Sequence, residues 1–164
     1  MSPMVIIVMG VAGTGKTTVG RALAAELGWG FRDADEFHPA ANVAKMSAGQ
    51  PLDDADREPW LAAIRAHIEA TLARGENAVV TCSALKVRYR QLLGENSPGR
   101  QWVYLHGAPE LIRRRIAGRP GHFMKPGMLD SQLAALEPPT AALSLDVAEP
   151  VAVLVARIRE HFAL

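Results

Sequence analysis

Cysteine is almost missing from this 164-residue chain. Cys82 stands alone, so neither an intrachain disulfide nor a cysteine-cluster metal site can form. Aromatic residues are sparse, at 5%, and do not interleave with the basic ones, which removes the stacking-plus-charge pattern of a nucleic-acid surface. The net charge is only +1, so no bulk field draws the chain to nucleic acid or to an anionic membrane. No apolar run approaches the roughly 20 residues that cross a bilayer, and residues 4–9 are too short for a signal-peptide core. The expectation is a cytoplasmic protein with neither membrane nor nucleic acid as partner. Internal repeats, low-complexity tracts and long linkers are also missing. An apolar content of 49% suffices for one core, so residues 1–164 read as a single domain.

What the chain does have is alternation. Apolar runs at 4–9, 30–33, 78–82, 101–106 and 143–146 are each followed by helical periodicity. That order predicts an α/β fold of three layers, a five-stranded parallel sheet flanked by helices. Trp60, Ile64, Ile68 and Leu72 repeat every four residues, behind Asp53 and Asp54 as N-cap and first-turn acids. Val151, Val155, Ile158 and Phe162 make the stripe of the last helix. Two stretches break the pattern. Residues 38–60 hold closely spaced polar groups. Residues 115–139 are rich in Arg, Gly and Pro, with one short helix near 128–136. Insertions of this kind suit a substrate site and a lid.

Between the first strand and the first helix stands Gly10-Val11-Ala12-Gly13-Thr14-Gly15-Lys16-Thr17, which is G-x-x-x-x-G-K-[ST]. The helix is marked by Thr17, Val19, Leu23 and Leu27 and stops at Gly28. Glycines let such a loop wrap so that backbone N–H groups meet phosphate oxygens. The amides run on into Thr18 at the helix N-terminus, where the dipole favours an anion. Lys16 reaches β- and γ-phosphates, and the Thr17 hydroxyl suits Mg²⁺. A GTPase switch would need Asp-x-x-Gly and Asn-Lys-x-Asp, and neither occurs.

Asp33 and Asp35 close the second strand, one residue apart, so period two puts both on one side at the ligand-facing end of the sheet. One can hold Mg²⁺ through water while the other accepts a hydroxyl proton. His38, Asn42 and Lys45 follow at near-helical spacing, a face able to meet a polyhydroxylated anion or simply water. Ser83, Lys86 and Arg90 follow the third strand, where a carboxylate could be met. Arg57, Lys86 and Arg90 are equal candidates for that carboxylate. Cys82 reads as a small packed residue. Arg115, Arg119, His122 and Lys125 lie in the glycine-rich insertion, as cations able to close over phosphates. Arg32 stands where strand two calls for an apolar residue, aimed either at the crevice or outward.

Together these pieces resemble the small gluconate kinases of the P-loop nucleoside/shikimate-kinase group. The resemblance rests on 10–18, Asp33-Ala34-Asp35 with Phe37-His38-Pro39, and Asn42-Val43-Ala44-Lys45-Met46. It continues through 49–57 with Pro59-Trp60-Leu61, Cys82-Ser83-Ala84-Leu85-Lys86 with Tyr89-Arg90, Gly121-His122-Phe123 and Met128-Leu129. It implies a P-loop kinase fold with a lid, transfer of the ATP γ-phosphate to the primary hydroxyl of D-gluconate, a Mg²⁺ requirement and, in many members, a homodimer. On that footing Lys16, Asp35 and Arg119 are catalytic, and Asp35, His38, Asn42, Lys45, Arg57, Ser83, Lys86, Arg90 and His122 meet the substrate. ATP meets Gly10 through Thr18 and Arg115, and Mg²⁺ meets Thr17 and, through water, Asp33. The alternatives are a kinase of another small acceptor such as shikimate, or a P-loop ATPase that transfers to none.

Overall fold

The computed structural model describes residues 2–118 and 127–164. Five strands, β1 Val5–Met9, β2 Gly30–Asp33, β3 Ala78–Thr81, β4 Arg100–His106 and β5 Leu143–Asp146, form one parallel sheet in the order β2-β3-β1-β4-β5. Seven α-helices are described: α1 Lys16–Leu27, α2 Ala40–Ser47, α3 Asp54–Ala73, α4 Val87–Leu92, α5 Pro109–Ala117, α6 Met128–Ala135 and α7 Val151–Phe162. The α/β reading therefore holds, with each predicted strand within one residue of its observed ends.

The central strand explains the layering. All five β1 residues are buried, because a parallel strand in mid-sheet is covered on both faces. Val5, Ile7 and Met9 face Trp60, Leu61, Ile64 and Ile68 of α3 with Tyr89 and Leu93. Ile6 and Val8 face Val19 and Leu23 of α1 and Leu154, Val155 and Ile158 of α7. A third, smaller cluster joins Val11, Leu85, Ile112 and Leu129, with Ile116, Leu133 and Leu136 beside it. It lies at the strand C-termini and ties α5 and α6 to the loops after β1 and β3.

Caps set the helix ends. Asp53 caps α3, accepting from the Asp56 N–H at 2.7 Å while the Asp56 carboxylate accepts from the Asp53 N–H at 3.0 Å. Gly28 ends α1 in the left-handed region, φ 68°. The turn after β2 departs from expectation. The strand stops at Asp33, and Asp35 lies in a 3₁₀ turn, Ala34–Phe37, rather than on the strand. The Asp33 carboxylate accepts from the Asp35 N–H at 2.9 Å, and this cap outweighs strand continuation. Arg32 turns outward from this edge strand, 3.3 Å from Glu36 and over the Phe37 ring at 4.6 Å.

Ile64 is fully buried between α3 and the sheet. Ile64→Ala is expected to lower stability by about 2–5 kcal/mol, read from the urea midpoint.

Candidate active site

The loop after β1 is shaped by two crowded glycines. At Gly10, φ +152°, a Cβ would stand 2.5 Å from the Leu105 carbonyl oxygen. At Gly13, φ +82°, it would stand 2.6 Å from Ile116. Only glycine lets the chain pass between β4 and α5 here. The buried Thr14 hydroxyl donates to the Val11 carbonyl at 2.8 Å and closes the turn. No side chain caps α1, whose N-cap is Gly15, so its first amides are directed at the crevice. The Lys16 ammonium lies across the loop, 2.9 Å from the Gly10 carbonyl and 3.1 Å from that of Val11.

In front of the loop is a cleft of about 360 Å³. Ala12, Gly13, Gly15, Lys16 and Thr17 line its donor side; Asp33, Asp35, Trp60 and Ser83 line the other. The Thr17 hydroxyl donates to Asp33 Oδ2 at 3.0 Å, so two hard oxygen ligands from different elements already share one point. That donor set fits a hydrated Mg²⁺. Among the described residues there is no cluster of three or more His, Cys, Asp or Glu that would suit a fully protein-ligated ion.

The two carboxylates diverge chemically. Burial first, and then the Asp33 charge, raises Asp35 above the ordinary value of 3.8, against the opposing pull of His38 and Lys16. His38 stacks on Trp60 at 4.4 Å, and the Trp60 indole donates to the Ala34 carbonyl at 2.7 Å. Burial lowers the His38 pKa, chiefly over the raising effect of Asp35. The Asn42 amide nitrogen donates to the Asp56 carbonyl at 2.9 Å and faces His38 Nδ1 at 3.3 Å. That network assigns the neutral tautomer, with the proton on Nε2. Cys82 is buried, which pushes its thiol up to about 12, so it is an inert packing residue.

Beyond the cleft, α2, α3 and α4 share a polar layer. Asn42 is 3% exposed, so its part of the α2 face is internal rather than solvated. The Lys45 ammonium is tied to Asp56 at 2.6 Å, a bond that raises its pKa and commits it to anchoring α2 against the α3 cap. Tyr89 donates to Asp54 at 2.6 Å, and Lys86 lies 3.5 Å from the same carboxylate. Arg57 donates to the Leu52 carbonyl at 2.7 Å and to the Tyr89 hydroxyl at 3.4 Å.

Arg90 has a different task from the carboxylate-binding one expected of it. It is 1% exposed, and its guanidinium donates to Glu95 at 2.9 Å and to the carbonyls of Ala84 at 2.8 Å, Leu85 at 3.3 Å and Glu137 at 2.8 Å. It braces the 83–86 loop, where Ala84 holds a left-handed φ of 47°, strained for a residue with a Cβ. Arg115 donates to the Val147 carbonyl at 2.6 Å, beside the loop after β5. Arg119, His122 and Lys125 lie outside the described residues. Reading by spacing missed Gln132, Thr81, Ile116 and Met128, which also line the cleft. Gln132 left a signal, as a polar residue on the face of α6 that carries Leu129, Leu133 and Leu136.

A phosphate loop at the end of a central parallel strand, opposite an aspartate pair, defines a P-loop phosphotransferase. The shikimate kinase family matches residues 12–136. The gluconokinase of Gluconobacter oxydans is 49% identical over 140 residues, covering 85% of this chain and 78% of that protein. The thermoresistant gluconokinase of Escherichia coli is 38% identical over 156 residues, with coverage of 93% and 89%. Among solved structures, a gluconokinase from Sinorhizobium meliloti superposes with a TM-score of 0.83 at 43% identity, over 99% of this chain and 97% of that one. A Janibacter sugar kinase superposes with a TM-score of 0.88 at 40% identity, over 96% and 93%. The chain belongs to the gluconokinases, within the shikimate kinase family.

Two expected outcomes follow from this geometry. Arg90→Lys is expected to fail like Arg90→Met, each losing at least about 3 kcal/mol in chemical denaturation, because a point charge cannot span four acceptors. Asp35→Asn is expected to melt above the wild type at neutral pH. With a raised folded pKa, stabilisation by protonated Asp35 is complete below the unfolded value and is lost as pH rises through the folded one. The gap in Tm therefore closes as pH falls through the carboxylate range.

Proposed function

We propose that this chain phosphorylates D-gluconate with ATP, giving 6-phospho-D-gluconate and ADP by in-line transfer to the primary hydroxyl. Gluconokinase relatives matching more than four-fifths of the chain support gluconate over a shikimate-like acceptor. The observation that carries the kinase chemistry is the meeting of Thr17 and Asp33 at 3.0 Å beside Asp35, whose pKa is raised. A module that only bound ATP would have no use for that second carboxylate.

The amides of Gly13 through Thr18, with Lys16, hold the β- and γ-phosphates. Thr17 and, through water, Asp33 would hold Mg²⁺, which would supply neutralising charge on the phosphates. Asp35 orients the acceptor hydroxyl and takes its proton as the new O–P bond forms and the β,γ P–O bond breaks. In a loose transition state, position and charge matter more than base strength. A raised pKa nonetheless makes Asp35 a better proton acceptor than an ordinary aspartate. His38 offers Nε2–H, Ser83 a hydroxyl, and Arg57 and Lys86 positive charge to a polyhydroxylated carboxylate; Asn42 and Lys45 hold this wall in place through Asp56. Arg115 approaches the nucleotide end, and Arg119 and His122 would close over the reacting groups. Closure keeps water from the γ-phosphate. No helix among the described residues is long and apolar enough to cross a membrane. A cytoplasmic homodimer belongs to the same reading, on the family resemblance.

A panel of sugar acids with Mg·ATP tests the acceptor. ADP release should be stimulated by D-gluconate, and stimulation by shikimate instead would overturn the assignment. Lys16→Ala and Asp35→Asn should each lower kcat by about 10²–10⁴-fold. Asp35→Asn should leave ATP affinity nearly unchanged, and near-wild-type turnover would remove Asp35 from the chemistry.

A further inference from the structure

Gln132 has a position that the proton-transfer and phosphate-cradle machinery does not account for. It projects from α6, an eight-residue helix within the 115–139 insertion, yet its side-chain oxygen accepts from the Ala12 N–H of the phosphate loop at 2.7 Å. It lines the same cleft as Lys16, Thr17, Asp33 and Asp35. A backbone N–H only donates, so the atom facing Ala12 must be the carboxamide oxygen. The –NH₂ end then faces away from Ala12 and carries two donors.

The side chain is held from both ends of its helix. Leu129, Leu133 and Leu136 pack in the cluster that contains Val11 of the phosphate loop and Leu85 of the acceptor loop. Just past α6, the Glu137 N–H donates to the Leu85 carbonyl at 2.8 Å, and the Glu137 carboxylate accepts from the Val87 N–H at 2.9 Å. Arg90 holds the Glu137 carbonyl at 2.8 Å. The segment carrying Gln132 is thus pinned to the donor loop and the acceptor loop together. A neutral amide fixed this way loses little freedom when it meets a ligand, which is the condition for a donor that acts on a short-lived charge.

We propose that Gln132 is a catalytic residue: with its oxygen locked by Ala12, its –NH₂ donates to the phosphoryl group in transfer and fixes that group relative to the phosphate loop. This rests on the kinase reading above. Unlike Lys16 it adds no charge, so its contribution falls on orientation during transfer more than on ATP affinity.

Two substitutions test it, assayed by ADP release with Mg·ATP and D-gluconate. Gln132→Met keeps the shape and removes both polar ends. Gln132→Glu keeps an oxygen for Ala12 and removes the donors. Both should lower kcat by about 10–10³-fold with KM for ATP within about threefold, and with Tm close to the wild type. Turnover of Gln132→Met within about threefold of the wild type would overturn the proposal. So would wild-type kcat in Gln132→Glu, because the oxygen clip on Ala12 would then suffice. A rise in KM for ATP at unchanged kcat in Gln132→Glu would overturn it too, leaving only charge repulsion. If Gln132→Met does not fold, Gln132→Glu carries the test alone. Failure of the gluconate assignment is separable, since it appears as a wild-type enzyme that gluconate does not stimulate. The same two variants are then compared with whichever acceptor does.

Discussion

The passage of the backbone between β4 and α5 at residues 10–13 is the constraint on which the site depends. The register that sets Met9 opposite Tyr104 brings the Leu105 carbonyl against Gly10, leaving no room for a side chain. Having turned there, the chain must enter α1 with its first amides uncapped and directed at one region of space. The ammonium of Lys16 folds back over the carbonyls of the same turn, and Thr17 is carried to Asp33 on the far edge strand. A donor site is therefore a product of strand register before any ligand arrives.

Around that turn the polar groups are set in unlike states. Asp33 accepts from the Thr17 hydroxyl and from the Asp35 N–H. Asp35, two residues on, is partly desolvated beside the Asp33 charge and ionises reluctantly. His38 is kept neutral by burial against Trp60, and Cys82 is silenced by the same means. A single length of chain thus carries a carboxylate with a raised pKa and an imidazole with a lowered one, both through desolvation.

The sheet was legible in the sequence because β1 and β3, covered on both faces, had to be continuously apolar, and because helical stripes follow each strand. The phosphate loop was legible because its glycines answer to local backbone geometry. Asp35 was read onto the strand because period two cannot register a cap, and the Asp33 side chain ended the strand early. Lys45 and Arg90 were read as candidate ligand-binding cations because spacing along one helix says nothing of partners on another. Asp56 and the carbonyls of Ala84, Leu85 and Glu137 reach them from elements distant in the chain. Gln132 was visible only as an exception, a polar residue on an apolar face.

The sheet order separates the phosphate loop from the aspartate turn. The phosphate loop hangs from β1, which has neighbours on both sides, while Asp33, Asp35 and the layer behind His38 hang from β2, the outermost strand on its side. Change at a margin disturbs one neighbouring strand; change at the centre disturbs two. A substitution along β2 is therefore felt by one neighbouring strand, and one along β1 by two. The join between the central and the marginal half of the cleft is the hydrogen bond from Thr17 to Asp33.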